Sequence, residues 1–192
     1  LGSVISDLKN PDFILVGEDK SEAGDLHIKI MKSIVSNKNI PVRRMSIESA
    51  EMSKIAINTY ITSKITFANA IGIASDNING CNSEDVLNAI GSDSRIGIKY
   101  FSKGLGYGGP CFPRDNRALQ EVLNQSGSSH YGVPLLNDTF NKSIPLYYSK
   151  IINEICLSNS VKNVLIIGIT YKDGSCLLEE SQSYEIAKNL KN

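Results

Sequence analysis

The stretch Lys103-Gly-Leu-Gly-Tyr-Gly-Gly-Pro-Cys-Phe-Pro-Arg-Asp115 places four glycines within six residues and then one cysteine between two prolines. Glycine has no Cβ, so such a loop can adopt positive φ and lets a ligand approach the main chain closely. The pattern therefore predicts a loop that contacts a ligand. An amphipathic run follows the loop and predicts a helix with Asp115 as its N-cap.

Cys111 is a candidate nucleophile because it lies just ahead of this predicted helix. The positive end of the helix and the neighbouring Arg114 and Arg117 would stabilise a thiolate. The alternative is a small buried apolar residue, which is the commoner role of a free cysteine. The residues alone leave both interpretations open.

Composition excludes several classes of protein. The 192 residues include 20 basic and 20 acidic side chains mixed along the chain, so no electrostatic footprint for nucleic acid or an anionic membrane is present. There is no run of about 18 apolar residues and no signal-peptide pattern. We expect a cytoplasmic protein with neither a nucleic-acid nor a membrane partner.

The cysteines and histidines indicate neither a disulfide framework nor a metal site. Cysteine pairs with CxxC spacing are absent, and the two histidines, His27 and His130, form no ligand cluster. We therefore expect no metal site.

The ends of the chain have the pattern of α/β structure. Residues 13–17 and 42–45 are strand candidates on either side of a helical pattern over residues 22–35. Two strands and one helix do not make a stable sheet alone, so we expect them to belong to a larger one. Residues 161–167 are a candidate buried parallel strand, followed by a helix over residues 180–190.

The middle of the chain is predicted to be helical. A helix capped by Ser46 is predicted over residues 47–77, and at 1.5 Å per residue it is about 45 Å long, which is longer than a small domain is wide. Such a helix usually spans an interface. Lys54 and Asn58 are four residues apart and would project from one face, either into a site or into solvent. Further helices are predicted over residues 83–91 and 135–157.

Three stretches resemble motifs of the UDP-glucose/GDP-mannose dehydrogenase family. Residues 106–115 are similar to Gly-Phe/Tyr-Gly-Gly-Ser-Cys-Phe-Pro-Lys-Asp, residues 50–65 to Ala-Glu-x-x-Lys-x-x-x-Asn-x-x-x-Ala-x-Lys-Ile, and residues 93–101 to Asp-x-Arg-Ile-Gly-x-Lys-Phe/Tyr-Leu. The motifs follow the family's order and the resemblance covers essentially the whole chain. Phe112 favours the UDP-glucose 6-dehydrogenase branch, with enzymes for UDP-N-acetylhexosamine or GDP-mannose as the alternative.

The resemblance also divides the chain. Residues 1–45 would be the end of an N-terminal NAD-binding domain, residues 46–158 a central dimerisation and substrate domain, and residues 159–192 the start of a C-terminal UDP-binding domain. The implied fold is a mainly α central domain, like the 6-phosphogluconate dehydrogenase C-terminal domain, flanked by partial Rossmann-like α/β segments. The GxGxxG fingerprint for NAD does not occur in this sequence. We expect a fragment that is inactive alone, and a non-catalytic dimerisation or nucleotide-sugar-binding module stays open.

The activity implied by the resemblance is oxidation of C6 of UDP-glucose to a carboxylate, with two NAD⁺ and one water. Cys111 would form a thiohemiacetal and then a thioester. Lys54 and Asn58 would stabilise the developing oxyanion, and Asp115 would position or activate the water. The helix over residues 47–77 is too long for one small domain and carries apolar residues on a wide arc, so we also expect a two-fold homodimer through it.

The resemblance further implies a set of binding residues. Those for the nucleotide sugar are Arg95, which would act across the dimer, and Lys99, Tyr100, Gly104, Gly106, Gly108, Tyr171 and Lys172. Gly109 and Pro110 would contact the cofactor. One position departs from the family: Glu179 replaces the arginine of Asp-x-Arg-Glu-Ser-Pro, and its carboxylate would repel a cofactor phosphate.

Overall fold

The structure, a computed structural model, describes residues 4–127 and 132–191. The chain forms two compact units, Leu1–Ala56 and Ile57–Asn192. The boundary between them falls within the longest described helix, α3 (Ile47–Asp76). His130 lies outside the described residues.

The first unit contains the predicted strand, helix and strand. After the short helix α1 (Val4–Lys9) come β1 (Ile14–Gly17), α2 (Ser21–Ile34) and β2 (Val42–Met45). The two strands are parallel, with Ile14 opposite Val42. A small apolar core lies between the sheet and α2, formed by Ile14, Val16, Val35 and Ile40.

The predicted long helix is present as α3 (Ile47–Asp76). Ser46 caps it as predicted, because the Ser49 N–H donates to the Ser46 hydroxyl at 3.2 Å. Its buried residues are small or polar rather than an aliphatic stripe: Thr59, Thr62, Thr66, Ala68, Asn69, Gly72 and Ser75. The buried side of α3 is therefore available for hydrogen bonding as well as packing.

The second unit is helical, which agrees with the predicted fold class. Its helices after α3 are α4 (Ser83–Gly91), α5 (Phe112–Gln125), α6 (Gly132–Ser158) and α7 (Gln182–Lys191). α6 packs against both α5 and α7. A second apolar cluster joins α3 to α4 and is formed by Ala68, Leu87 and Phe101. None of the described helices combines the length and hydropathy that a membrane crossing needs.

The predicted N-cap of α5 is wrong. The helix begins at Phe112 with Cys111 as its N-cap, and Pro113 occupies its first turn. Proline suits that turn because its φ is already helical and its missing N–H has no intrahelical acceptor there. Asp115 is consequently a first-turn residue and is only 2 % exposed.

The predicted strand over residues 161–167 is also wrong. Those residues are not assigned to a strand, and Leu165 and Ile167 are 84 % and 89 % exposed. A strand is stabilised by hydrogen bonds to a neighbouring strand. The one sheet among the described residues is the pair β1 and β2, so the described part of the second unit offers this segment no partner.

Candidate functional site

Cys111 lies at the start of α5 and is exposed. Its carbonyl accepts the Asp115 N–H at 2.9 Å, which fixes it to the first helical turn. The helix N-terminus places positive potential beside the thiol, and Arg114, with a side chain 67 % exposed, adds a nearby cation. The buried, inert alternative for Cys111 does not apply, because reagents and substrates can reach an exposed thiol.

Asp115 is the buried carboxylate of this site. Nδ2 of Asn58 donates to its Oδ2 at 2.6 Å, and Nε of Arg114 donates to its Oδ1 at 3.2 Å. These bonds hold the carboxylate at a fixed place one helical turn from Cys111. The structure thus brings three of the four predicted catalytic residues to one end of α5. Lys54, the fourth, is four residues before Asn58 in the sequence and belongs to the first unit.

A buried polar network supports the first turn of α5 from behind. Nδ2 of Asn116 donates to the Thr62 hydroxyl and to the Phe112 carbonyl, both at 2.9 Å. Asn137 on α6 donates from Nδ2 to the Ser63 hydroxyl at 2.8 Å. The network joins α3, α5 and α6, and sequence reasoning missed it. Its one signal was threonine and asparagine at helical spacing within predicted helices.

The loop over residues 104–109, the glycine loop, is held in place by amide side chains from two helices. Oδ1 of Asn69 accepts the Gly104 N–H at 2.9 Å. Asn141 bonds both backbone groups of Tyr107: its Oδ1 accepts the N–H and its Nδ2 donates to the carbonyl, each at 2.8 Å. A segment of this composition would otherwise be free to take many conformations, so these bonds account for its order.

The protein itself fills most of the space that the glycines leave. A Cβ on Gly106 would overlap Asn141, and a Cβ on Gly108 would overlap the main-chain carbonyl of Glu180. Gly104 has nothing within 4 Å of its Cβ position. The sequence pattern predicts close approach of a ligand at these glycines. The Gly106 position instead meets Asn141 of α6 and Gln182 of α7, and the Gly108 position meets Glu180 and Tyr171.

This difference between the glycines predicts different costs of substitution. Gly108→Ala should lower the free energy of unfolding by about 2 kcal/mol, because a main-chain carbonyl must move to admit the methyl group. Gly104→Ala is the matched control and should change stability by less than about 0.5 kcal/mol. Urea denaturation of both variants measures the difference. Equal stabilities would show that residues 179–182 do not pack on Gly108 in solution.

Tyr100 and Arg95 are both exposed. Tyr100 is 52 % exposed, has φ near 60°, and packs edge to face on Phe112 with ring centroids 6.5 Å apart. Arg95 has an 85 % exposed side chain whose Nη2 donates to Oδ2 of Asp93 at 2.6 Å. This hydrogen bond holds the pKa of the Asp93 carboxyl below its usual value, so the pair is ionised at neutral pH. Lys99 is exposed as well.

Gly109, one of the two predicted cofactor contacts, is in contact with Glu179 and Tyr171. The Gly109 N–H donates to the Glu179 carbonyl at 2.9 Å, and the Tyr171 ring lies over Gly109 where a Cβ would be. Tyr171 therefore meets the glycine loop, whereas Lys172 is exposed. The donor and the open face that a cofactor phosphate would need at Gly109 are both occupied. Contact of Gly109 and Pro110 with other parts of a cofactor stays a prediction.

Metal binding finds no support in the described ranges. Among residues 4–127 and 132–191, no group of three or more histidine, cysteine, aspartate or glutamate side chains could hold an ion. The chemistry available at the α5 terminus is that of a thiol, a buried carboxylate and a carboxamide.

Comparison with known proteins gives consistent matches. A sequence model described as "UDP-glucose/GDP-mannose dehydrogenase family, central domain" matches residues 48–141. The chain is 30% identical over 195 residues to a UDP-glucose 6-dehydrogenase of Gallus gallus, covering 98% of this chain and 39% of that protein. A UDP-glucose 6-dehydrogenase of Rickettsia bellii is 30% identical over 192 residues, with 98% and 43% covered.

Solved structures agree with these matches. A UDP-glucose dehydrogenase from Pyrobaculum islandicum superposes with a TM-score of 0.85 at 28% identity, covering 97% of this chain and 42% of that one. A UDP-D-ManNAc dehydrogenase from Pyrococcus horikoshii shares the fold, with a TM-score of 0.82 at 22% identity and coverage of 100% and 44%. The chain spans about two fifths of the length of the curated relatives it matches.

Proposed function

The chain belongs to the UDP-glucose/GDP-mannose dehydrogenase family, and from this membership we propose that the complete protein oxidises C6 of UDP-glucose to a carboxylate. The observation that carries the proposal is the arrangement at the start of α5. An exposed Cys111 thiol precedes, within one helical turn, a buried Asp115 carboxylate that is bonded to Asn58 at 2.6 Å. This combination suits covalent catalysis at a carbonyl carbon followed by hydrolysis.

In the first stage, Sγ of Cys111 adds to the C6 aldehyde carbon. A C–S bond forms, and the carbonyl electron pair moves to the oxygen, which takes up a proton to give a thiohemiacetal. Asn58 uses one Nδ2–H on Asp115 and has a second amide hydrogen that can donate to this oxygen. We assign the ammonium of Lys54 to the same oxygen, as the family motif implies.

In the last stage, water attacks the Cys111 thioester. The Asp115 carboxylate accepts the water's proton, the C–S bond breaks, and sulfur leaves as a thiolate stabilised at the helix N-terminus. The family is NAD-dependent. The chemistry that the cofactor would supply is hydride acceptance, once before the first stage, when the C6 alcohol becomes the aldehyde, and once between the two stages, when the thiohemiacetal becomes the thioester. Because the Gly109 N–H is already bonded to the Glu179 carbonyl, we place no part of the cofactor on the described residues.

The test is a substrate panel with the complete protein that carries this chain. UDP-glucose, UDP-N-acetylglucosamine and GDP-mannose are each supplied with NAD⁺, and NADH is followed by absorbance. We expect two NADH per UDP-glucose and little with the others. Formation of NADH with GDP-mannose but not with UDP-glucose would contradict the substrate assignment. Binding of UDP-glucose without any formation of NADH would indicate a non-catalytic module.

We also propose the domain assignment and the remaining binding roles. Residues 1–45 would complete a cofactor-binding domain, residues 46–158 form the central domain, and residues 159–192 open a UDP-binding domain. Tyr100 and Lys99 would contact the nucleotide, and the exposed Arg95 would contact a diphosphate bound to the partner subunit. A guanidinium suits this role because its donors match phosphate oxygens.

A homodimer through α3 is proposed from the exposed aromatic residues of that helix. Tyr60 is 66 % and Phe67 is 50 % exposed, and residues seven apart share one helix face. In a two-fold dimer the same face would meet itself and bury these rings. Phe67→Glu should therefore raise the dimer dissociation constant by at least about tenfold.

Sedimentation velocity of the complete protein over a range of concentrations measures this effect. The matched control is Leu136→Glu, since Leu136 is 63 % exposed on α6. A Phe67→Glu variant that dimerises as tightly as the control would place the interface elsewhere.

A further inference from the structure

Side chains from two helices hydrogen-bond to the backbone N–H and carbonyl of Tyr107. Asn141 on α6 is 3 % exposed and bonds both its N–H and its carbonyl at 2.8 Å. Gln182, the first residue of α7, is 7 % exposed, and its Nε2 donates to the same carbonyl at 3.3 Å. Both side chains occupy the space that would hold a Cβ on Gly106. Two buried carboxamide side chains, those of Asn141 and Gln182, therefore hold the glycine loop in place.

Residues 179–181, the segment before α7, make a second set of contacts with the glycine loop. The Glu179 carbonyl accepts the Gly109 N–H at 2.9 Å, and the Glu180 carbonyl lies against Gly108. Glu180 has φ near 54°, a conformation that a residue with a side chain keeps only when its surroundings enforce it. An ion pair from Arg117 on α5 at 2.8 Å supplies that restraint.

These attachments leave little freedom for Cys111. Gly109 is bonded to the C-terminal segment, and Cys111 is the N-cap of α5. Between them lies only Pro110, whose ring fixes φ. The backbone that carries the thiol is therefore determined by contacts made on both sides of it.

We propose that Asn141 and Gln182 are positioning residues for the Cys111 nucleophile. They bond the Tyr107 backbone rather than any reacting atom, and through Gly108, Gly109 and Pro110 they hold the thiol at the helix N-terminus. The role in catalysis rests on the proposed function, whereas the control of thiol position does not. The first residue of α7 thereby becomes part of the site.

The test measures the reactivity of Cys111 against an internal reference. Cys111 and Cys176 are both exposed, so iodoacetamide alkylates both, and peptide mass spectrometry gives the ratio of their rates. Asn141→Asp keeps the side chain's shape but replaces the N–H donor with an oxygen that repels the Tyr107 carbonyl. We expect the rate ratio of Cys111 to Cys176 to fall about threefold, the effect of losing a fixed place at a helix N-terminus.

Asn153→Asp is the matched control, because it makes the same chemical change at an exposed position of α6. Its rate ratio should equal that of the wild type. An Asn141→Asp variant that melts earlier but keeps the wild-type ratio would overturn the proposal and leave Asn141 a purely structural residue. If Asn141→Asp does not fold, Gln182→Glu tests the same carbonyl from the other side, with the same two outcomes.

Turnover gives an independent measurement in the complete protein. A positioning role predicts that Asn141→Asp lowers kcat with little change in KM for UDP-glucose, since no substrate contact is removed. A rise in KM at constant kcat would contradict it. The alkylation ratio needs neither substrate nor cofactor, so a protein that forms no NADH yet shows the altered ratio would refute the proposed function and support the positioning role.

Discussion

Cys111→Ser in the complete protein should lower UDP-glucose-dependent NADH formation by about a thousandfold or more. Serine keeps the shape of the side chain but is a far weaker nucleophile near neutral pH, and both covalent intermediates require the sulfur. Initial rates with saturating UDP-glucose and NAD⁺ measure the loss. UDP-glucose binding, followed by calorimetry, should change little.

The control for this substitution is Cys176→Ser, which alters the other exposed cysteine. We expect it to retain nearly full activity. If Cys176→Ser abolished turnover and Cys111→Ser did not, the nucleophile would lie in the C-terminal segment and the proposed mechanism would be wrong.

Asp115→Asn should lower kcat by about a hundredfold, in the range typical of a lost general base. The amide can still accept the hydrogen bond from Asn58, so the site keeps its shape while losing the group that takes a proton from water. Because thioester hydrolysis is the step affected, acyl-enzyme should accumulate. Rapid quenching followed by intact-protein mass spectrometry detects it.

An exposed carboxylate provides the comparison. Asp85→Asn on α4 makes the same change far from α5 in sequence and should leave kcat unaltered. Loss of activity in Asp115→Asn without any acyl-enzyme would place the defect before thioester formation and contradict the assigned role.

Local patterns predicted the helices well because the relevant information lies within each segment. The bounds of α3 followed from the Ser46 cap and from a long stretch without proline. At α5 the rule that favours aspartate as a cap led to the wrong residue. The better signal was Pro113, whose fixed φ allows the helix to begin before Asp115.

Long-range contacts were beyond sequence reasoning. The glycine pattern correctly indicated close approach, but it did not identify what approaches. For Gly106 and Gly108 the neighbours are Asn141 and Glu180, which lie far along the chain. Nothing in the spacing of a loop specifies such a partner. The apolar run over residues 161–167 failed for a related reason, because strand formation depends on a neighbour that a run of valine and isoleucine does not encode.

The bond between Gly109 and Glu179 also sets an order of events during synthesis. A ribosome completes α3, α5 and α6 before residues 179–182 exist, and domains are built from the N-terminal side. The nascent chain can form the bonds from Asn69 and Asn141 at that stage, but the Gly109 N–H has not yet met its acceptor. The backbone beside Cys111 consequently gains this bond only after the residues of α3, α5 and α6 have been made.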